Sequence, residues 1–186
     1  MPNVSTHIPS YPKVFNLGHG AIAELFLDPV IIQEKVDGSQ FSFGSLDGEL
    51  ICRSKGRQIH PGAADKLFAA AMVTVERLYD EGLLKDGLVY RGEVLSSPRH
   101  NVLKYERVPR GNVILFDASY AEENYLGFAE LFLEGVRLGL ETVPTLYEGT
   151  VPDLNRLEML IEFPSLLGGT KVEGVECNSS APSARF

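Results

Sequence analysis

The chain has 186 residues, of which 44% are hydrophobic and 23% charged, as expected for one globular domain with a sizeable core. A formal net charge of −8 and only two cysteines exclude a disulfide scaffold, a cysteine-rich metal site and a uniformly basic protein. No apolar run approaches the about 20 residues that a membrane-spanning helix needs, and the first residues lack the features of a secretion signal. We therefore expect a cytoplasmic protein that does not contact a membrane.

The first part of the chain predicts three consecutive antiparallel strands. Residues 30–35 form an apolar stretch that ends in polar residues, which is typical of a buried strand. Residues 40–43 alternate polar and apolar side chains, and Asp47-Gly48 is a strong hairpin signal before residues 49–53. Strands joined in this way lie side by side in one sheet.

Three helices are predicted from apolar residues that recur at spacings of three and four. The first is expected over residues 63–79, with Gly82 after its end, and a short one over residues 154–161. The second is expected over residues 121–138. The apolar contributions predicted for the first helix are Leu67, Ala70, Ala71, Val75 and Leu78, and for the second Leu126, Phe128, Ala129, Phe132 and Val136.

Four more strands are predicted, at residues 89–95, 113–118, 143–147 and 171–177. No repeat, low-complexity linker or shift in composition divides the chain. The pattern indicates an α+β fold of antiparallel sheets with helices packed outside, in one domain over residues 1–177. Residues 178–186 are small, polar and without pattern, so we expect a frayed tail.

The acidic total is unfavourable for binding nucleic acid, because that affinity comes largely from Lys and Arg that neutralise phosphates. The distribution of charge matters more than its sum. Two basic segments stand out in the sequence, Arg53-Ser54-Lys55-Gly56-Arg57 and residues 99–110. In the second, Arg99, Lys104 and Arg107 are the candidates for contacts to a phosphate backbone, and solvated surface charge is the alternative interpretation.

The segment most indicative of chemistry is Glu34-Lys35-Val36-Asp37-Gly38. A lysine at the end of an apolar strand would lie partly desolvated at the floor of a pocket, where a neutral amine is available as a nucleophile. Gly38 has no Cβ, so the backbone can approach a bound nucleotide closely. An exposed lysine before an ordinary turn is the alternative interpretation of this segment.

Four further short elements follow this segment in a fixed order. They are Arg53-Ser54-Lys55-Gly56, Arg91-Gly92-Glu93-Val94-Leu95, Leu115-Phe116-Asp117 and Glu173-Gly174-Val175. Together with Lys35 to Gly38, which matches motif I, they resemble the covalent nucleotidyltransferase superfamily of ATP-dependent DNA ligases, RNA ligases and mRNA capping enzymes. The resemblance covers residues 30–177 and implies a nucleotidyltransferase domain of the ATP-grasp-like ligase type.

The resemblance implies that Lys35 attacks the α-phosphorus of ATP, forms a lysine–AMP phosphoramidate and releases pyrophosphate. Lys55, or its neighbour Arg53, would contact the ribose or a phosphate, where a cation stabilises negative charge. Phe116 would stack on adenine, and Glu34 would meet the adenine edge as in some RNA ligases.

The resemblance also implies a divalent metal, Mg²⁺ or Mn²⁺. Glu93 would hold the ribose hydroxyls or a metal-bound water, and Glu173 would bind the metal directly or through water, since carboxylates suit such hard cations.

Among members of the superfamily, the chain resembles the small phage-type RNA ligases that repair nicks. RNA with nicked or broken ends is therefore the expected partner, a DNA strand stays open as an alternative, and the oligomeric state is not determined. We expect transfer of AMP to a 5′-phosphate before the strand is sealed.

One departure from the family's pattern affects activity. Motif V of the family supplies a Lys-x-Lys pair after the Glu-Gly-Val element, whereas thirteen residues follow Glu173 here and Arg185 is the sole cation in residues 175–186. Loss of such a donor costs about 3–4 kcal/mol of transition-state stabilisation in other sites. Two alternatives to an active ligase domain therefore stay open: a catalytically dead module that binds nucleotide or RNA, and a GTP-using guanylyltransferase fragment.

Overall fold

The computed structural model describes residues 7–121, 124–151 and 153–179. Within these ranges the strands are β1 (Val30–Lys35), β2 (Ser39–Leu46), β3 (Glu49–Ser54), β4 (Gln58–Ile59), β5 (Val89–Val94), β6 (Val113–Ala121), β7 (Asn124–Tyr125), β8 (Glu141–Thr142), β9 (Thr145–Gly149) and β10 (Gly174–Ser179). The helices are α1 (Ala69–Asp80), α2 (Phe128–Leu138) and α3 (Leu154–Leu160), with short 3-10 helices at Gly20–Ile22, Leu25–Leu27 and Arg110–Asn112.

Two sheets organise the fold. The larger has the strand order β4-β3-β2-β5-β6-β7 and is antiparallel throughout, with β8 added alongside β6 in parallel. The smaller has the order β10-β1-β9 and is antiparallel. The predicted α+β class with antiparallel sheets is confirmed.

The predicted hairpin between β2 and β3 is present. Asp47 and Gly48 have φ angles of +52° and +75°, the left-handed backbone that a two-residue hairpin turn requires at both central positions. Ser45 on β2 faces Leu50 on β3 across this turn, so the register follows from the turn.

Helix α1 begins at Ala69, several residues after the predicted start. Phe68 precedes the helix and is buried, with its ring stacked on Phe41 at 5.6 Å between centroids, so packing of this ring holds the chain where the helix starts. The buried residues of the helix include Ala71, Val75 and Leu78 as predicted, whereas Ala70 is exposed and Leu67 lies outside the helix.

Helix α2 begins at Phe128 and not at residue 121, because β6 continues to Ala121 and β7 follows it. The apolar face predicted for this helix is wrong. Phe132 and Val136 are 58% and 62% exposed, and the helix instead buries Leu131 and Leu138 with Glu134 between them.

A hydrogen-bond network explains why a carboxylate lies on the buried face of α2. Glu134 is 4% exposed and accepts hydrogen bonds from the Tyr90 hydroxyl at 2.8 Å, from Lys85 Nζ at 2.6 Å and from the Arg137 guanidinium. Burial alone would raise the pKa of this carboxyl, but the bonds from Arg137, Lys85 and Tyr90 outweigh it and lower the pKa to about 2.

The C-terminal part of the chain completes the smaller sheet. Helix α3 lies where it was predicted, and β9 begins two residues later than predicted. Strand β10 pairs with β1 along its whole length, so Asn178 and Ser179, which the sequence places in the tail, lie opposite Ile31 and Val30. Residues 180–186 lie outside the described part of the chain.

Three apolar clusters hold these layers together. The largest packs α1 and α2 against the larger sheet, and the second packs α3 and the N-terminal 3-10 helices against the smaller sheet. The third includes Val36 after β1, Ile114 in β6 and Val143 before β9, and thereby joins the two sheets. No helix in the described residues is long and apolar enough to cross a membrane.

We expect Glu134→Gln to lower the free energy of unfolding by about 2–3 kcal/mol at neutral pH, since it leaves Arg137 and Lys85 without their carboxylate. Because the folded-state pKa of Glu134 is lowered from 4.5 to about 2, its stabilisation is complete above pH 4.5 and is lost as the pH falls toward 2. Urea unfolding of both chains from pH 7 to pH 3.5 measures this, with Glu158→Gln, an exposed position on α3, as the control. A parent-to-variant difference that stays constant over this range would contradict the assignment.

Candidate active site

A cavity of about 630 Å³ lies between the two sheets and the N-terminal segment. Its volume is within the range of small-molecule sites. The N-terminal segment contributes residues 10–14, and the two sheets and their loops contribute the rest. The lining residues from the sheets and loops are Lys35, Gly38, Gln40, Lys55, Glu93, Phe116 and Glu176.

Lys35 is the last residue of β1 and lies opposite Gly174 of β10. Its Nζ is 2.6 Å from Glu173 Oε2, and the lysine side chain is 45% exposed. The lysine is therefore more open to solvent than a residue at a pocket floor would be. The position opposite β10 is what brings Glu173, which precedes Gly174, within hydrogen-bond distance of the amine.

Carboxylates surround this amine. Burial, and next the charge of Glu176, raise the pKa of Glu93 to about 8, and burial also raises the pKa of Glu176. The positive charge of Lys35 opposes both shifts. Acidic side chains thus crowd around one lysine in a partly desolvated site, and desolvation and their mutual repulsion disfavour the simultaneous ionisation of Glu93 and Glu176.

The donor set fits a divalent metal held jointly with a ligand. No three His, Cys, Asp or Glu residues of the described ranges form a ready-made metal site. Mg²⁺ is typically bound through one or two carboxylates together with substrate phosphates and water, so a complete protein cage is not required. Glu93 and Glu173, predicted as metal residues, both lie beside Lys35 and are suited to supply those carboxylates.

Gly38 is required by the packing next to Lys35. A Cβ at this position would lie 2.9 Å from Glu93 Cβ and 2.9 Å from the Val94 carbonyl oxygen, closer than real Cβ contacts. The missing side chain therefore lets β5 carry Glu93 to the cavity wall, a reason that differs from the predicted approach of a nucleotide.

Asp37 connects the lysine segment to the basic segment. Its Oδ2 accepts hydrogen bonds from Val102 N and Leu103 N, both at 2.8 Å, and its Oδ1 accepts one from Asn101 Nδ2. Burial would raise the pKa of Asp37, but these hydrogen bonds together lower it. A second link joins His100 Nε2 to Ser39 Oγ at 2.9 Å.

Phe116 lies in β6 and faces the cavity, as its predicted stacking role requires. The ring of Tyr11 meets it edge-on with 5.3 Å between centroids, and the Tyr11 hydroxyl donates to Asp117 Oδ2 at 2.9 Å. The Arg91 guanidinium lies 5.5 Å from the centre of the Tyr11 ring. Phe116 is thus in contact with the N-terminal segment through Tyr11.

The two basic candidates in the first hairpin have different positions. Lys55, between β3 and β4, lines the cavity. Arg53 does not line it, and its guanidinium donates to Ser10 Oγ at 2.7 Å and to the Ile8 carbonyl oxygen at 3.4 Å. Of the two residues, the structure brings Lys55 to the site and uses Arg53 to hold the N-terminal segment.

Glu34 is not brought to the cavity. It is 2% exposed, and its carboxylate accepts hydrogen bonds from Ser165 Oγ and from Leu166 N at 2.9 Å. Consecutive residues of a strand point to opposite faces, so Glu34 and Lys35 diverge. Its contacts are those of an anchor for the loop around residue 166.

The three basic candidates of residues 99–110 also differ in whether their charge is already paired. Arg99 and Lys104 are exposed, and no ion pair of the described residues includes either of them. Arg107 donates to both carboxylate oxygens of Glu141, at 2.8 and 2.7 Å. Its charge is therefore already paired, unlike that of the other two candidates.

Seven cavity residues were missed by the sequence reasoning, namely Ser10, Tyr11, Pro12, Lys13, Val14, Gln40 and Glu176. Glu176 follows Gly174 by two residues on β10, so the two-residue alternation of a strand would have placed it on the Lys35 side. Tyr11 and Lys13 carry no such signal, because the segment before β1 has no periodic pattern.

Most of the chain matches one known protein family. The model of the RNA ligase family matches residues 28–177, which is most of the chain, and the chain therefore belongs to the RNA ligase family. A search of curated protein sequences returned no match.

Solved structures of Naegleria gruberi RNA ligase have the same fold. The form with pyrophosphate is 18% identical, with a TM-score of 0.66 over 96% of this chain and 58% of that one. Two alanine variants with ATP and Mn are each 19% identical to this chain. One has a TM-score of 0.63 over 89% of this chain and 49% of its own. The other has a TM-score of 0.64 over 84% of this chain and 48% of its own. The chain thus spans about half the length of these structures.

We expect Gly38→Ala to lower the free energy of unfolding by about 1–3 kcal/mol, because the added methyl group collides with backbone and with Glu93. Urea unfolding measures the change. Gly56→Ala is the matched control, since a Cβ there meets nothing within 4 Å. Equal stability of the two variants would show that β5 moves away without cost and that Gly38 is not required by packing.

Proposed function

We propose that this chain is the adenylylation domain of an ATP-dependent RNA ligase. The observation that carries the proposal is the meeting of Lys35, Lys55, Glu93 and Phe116 in one cavity of a chain that belongs to the RNA ligase family. The relatives whose structures include ATP and Mn support ATP and a divalent metal as its cofactors.

The first reaction is the transfer of AMP to Lys35. The Nζ atom attacks the α-phosphorus, the bond from that phosphorus to the bridging oxygen of the β-phosphate breaks, and pyrophosphate leaves. Glu173, 2.6 Å from Nζ, is placed to accept the proton that the amine loses. The product is a phosphoramidate between lysine and AMP.

The remaining side chains of the cavity orient the nucleotide. Phe116 offers an aromatic face to the base, and Lys55 offers a positive charge to the ribose or a phosphate. When bound, a divalent cation neutralises the charge of the phosphates. Glu93 and Glu173 are the residues that would hold it.

The later reactions take place at the end of an RNA strand. AMP passes from Lys35 to the 5′-phosphate, and the 3′-hydroxyl of the neighbouring strand then displaces it. Arg99 and Lys104 are the proposed phosphate contacts, because Asp37 holds their segment beside Lys35.

The free Cys52 and Cys177 agree with a reducing cytoplasm as the compartment.

We expect the chain to acquire label from α-labelled ATP in Mg²⁺, in a bond that survives a denaturing gel, and Lys35→Ala to abolish it because the acceptor amine is gone. Lys171→Ala, whose lysine pairs with Glu162 on the surface, is the matched control and is expected to keep the label. An adduct that persists in Lys35→Ala would remove the proposal. Label from α-labelled GTP in place of ATP would indicate a guanylyltransferase. A chain that acquires label from neither nucleotide would indicate a binding module without activity.

We expect Arg99→Gln and Lys104→Gln each to weaken binding to a nicked RNA duplex with a 5′-phosphate, and to reduce the slope of log affinity against log salt by about one unit per lost contact. Fluorescence anisotropy at several salt concentrations measures both quantities. Arg107→Gln is the contrast, expected to leave the slope unchanged because Glu141 already pairs with Arg107. The same duplex in DNA tests the substrate class. Equal slopes for all three variants would overturn the assignment of the contacts.

A further inference from the structure

We propose that Lys13 binds the β- and γ-phosphates of the nucleotide, as an additional positioning residue that is supplied by the segment before β1. The inference rests on the proposed function, since it concerns the same cavity. Lys13 lines that cavity together with Lys35 and Lys55.

The segment that carries Lys13 is anchored on the side of the cavity. Ile8 is fully buried, and Arg53 donates hydrogen bonds to the Ile8 carbonyl oxygen and to Ser10 Oγ. Tyr11 donates to Asp117 and packs edge-on against Phe116. These contacts fix the backbone just before Lys13, so a cation there is pre-organised and loses less freedom on binding than one on a loose terminus.

The charges of the cavity leave a role for Lys13. A nucleoside triphosphate is strongly anionic, and the cavity already contains the acidic side chains of Glu93 and Glu176. Lys35 is paired with Glu173 and must become neutral to attack, so it does not provide lasting charge compensation. In the described residues no ion pair includes Lys13 or Lys55, which leaves these two lysines for the phosphates.

We assign the terminal phosphates to Lys13 because it is the cavity lysine that the other contacts of the proposed function leave unused. The α-phosphorus must lie at Lys35 for attack, and the base lies on Phe116 in the proposed function. The β,γ-diphosphate is the part of the nucleotide that these two contacts leave for another wall of the cavity. Nζ of Lys13 is 5.2 Å from the centre of the Phe15 ring, a weak contact that a phosphate oxygen readily replaces.

Binding of two probes separates this role from a structural one. The first probe is an ATP analogue with a methylene group between the α- and β-phosphates, which binds without forming the adduct, and the second is AMP. We expect Lys13→Ala to weaken the analogue about tenfold, as for the loss of one charge-assisted hydrogen bond, and to change AMP affinity less than twofold. Lys13→Arg is expected to recover most of the loss, and Lys66→Ala, an exposed lysine away from the cavity, to lose nothing.

The outcomes are distinguishable. Selective loss of the analogue with rescue by arginine supports the proposal, and a smaller loss at high salt would agree with an ionic contact. Unchanged affinity for the analogue, or equal loss for the analogue and AMP, overturns it while leaving the proposed function intact. A parent chain that binds neither probe and forms no adduct overturns the proposed function and this inference with it.

Discussion

The antiparallel pairing of β1 with β10 is the constraint on which the site depends. It sets Lys35 opposite Gly174, so that Glu173, 138 residues from Lys35 in sequence, reaches the lysine amine. The same register directs Glu176 into the cavity and closes the smaller sheet over the second apolar cluster. Because a shift of one residue turns every side chain of a strand to the other face, the chemistry of the site depends on this register.

Acidic side chains crowd around Lys35, whereas the exposed basic residues of the segment 99–110 lie elsewhere. The half-buried carboxyl groups of Glu93 and Glu176 lie near one ion-paired lysine, and desolvation together with the charge of Glu176 raises the pKa of Glu93. A bound divalent cation would offset the negative charge of these carboxyl groups and of the nucleotide phosphates together. The basic residues that would guide an RNA end lie outside this region, on a segment tied to Asp37.

Much of the fold was accessible from local patterns. The apolar run of β1 and the Asp47-Gly48 turn were predicted correctly because each depends on neighbours in sequence. The buried face of α2 was predicted wrongly. The spacing of apolar residues indicated a face through Phe132 and Val136, whereas the helix buries Glu134, which is stabilised by partners on other elements. A helical period shows that a helix has faces, but packing selects the face that is buried.

The sequence by itself indicated the family, since a strand-end lysine before Asp-Gly and the ordered elements after it resemble the covalent nucleotidyltransferases, and the family model confirms an RNA ligase domain. It also determined the class of fold, because strand and helix periods are local. Only the tertiary structure decided which candidates meet. It placed Lys55, Glu93 and Phe116 beside Lys35, used Arg53 and Glu34 as anchors elsewhere, and added Lys13 from a segment without any pattern. These outcomes depend on contacts between residues far apart in the chain, which no local pattern encodes.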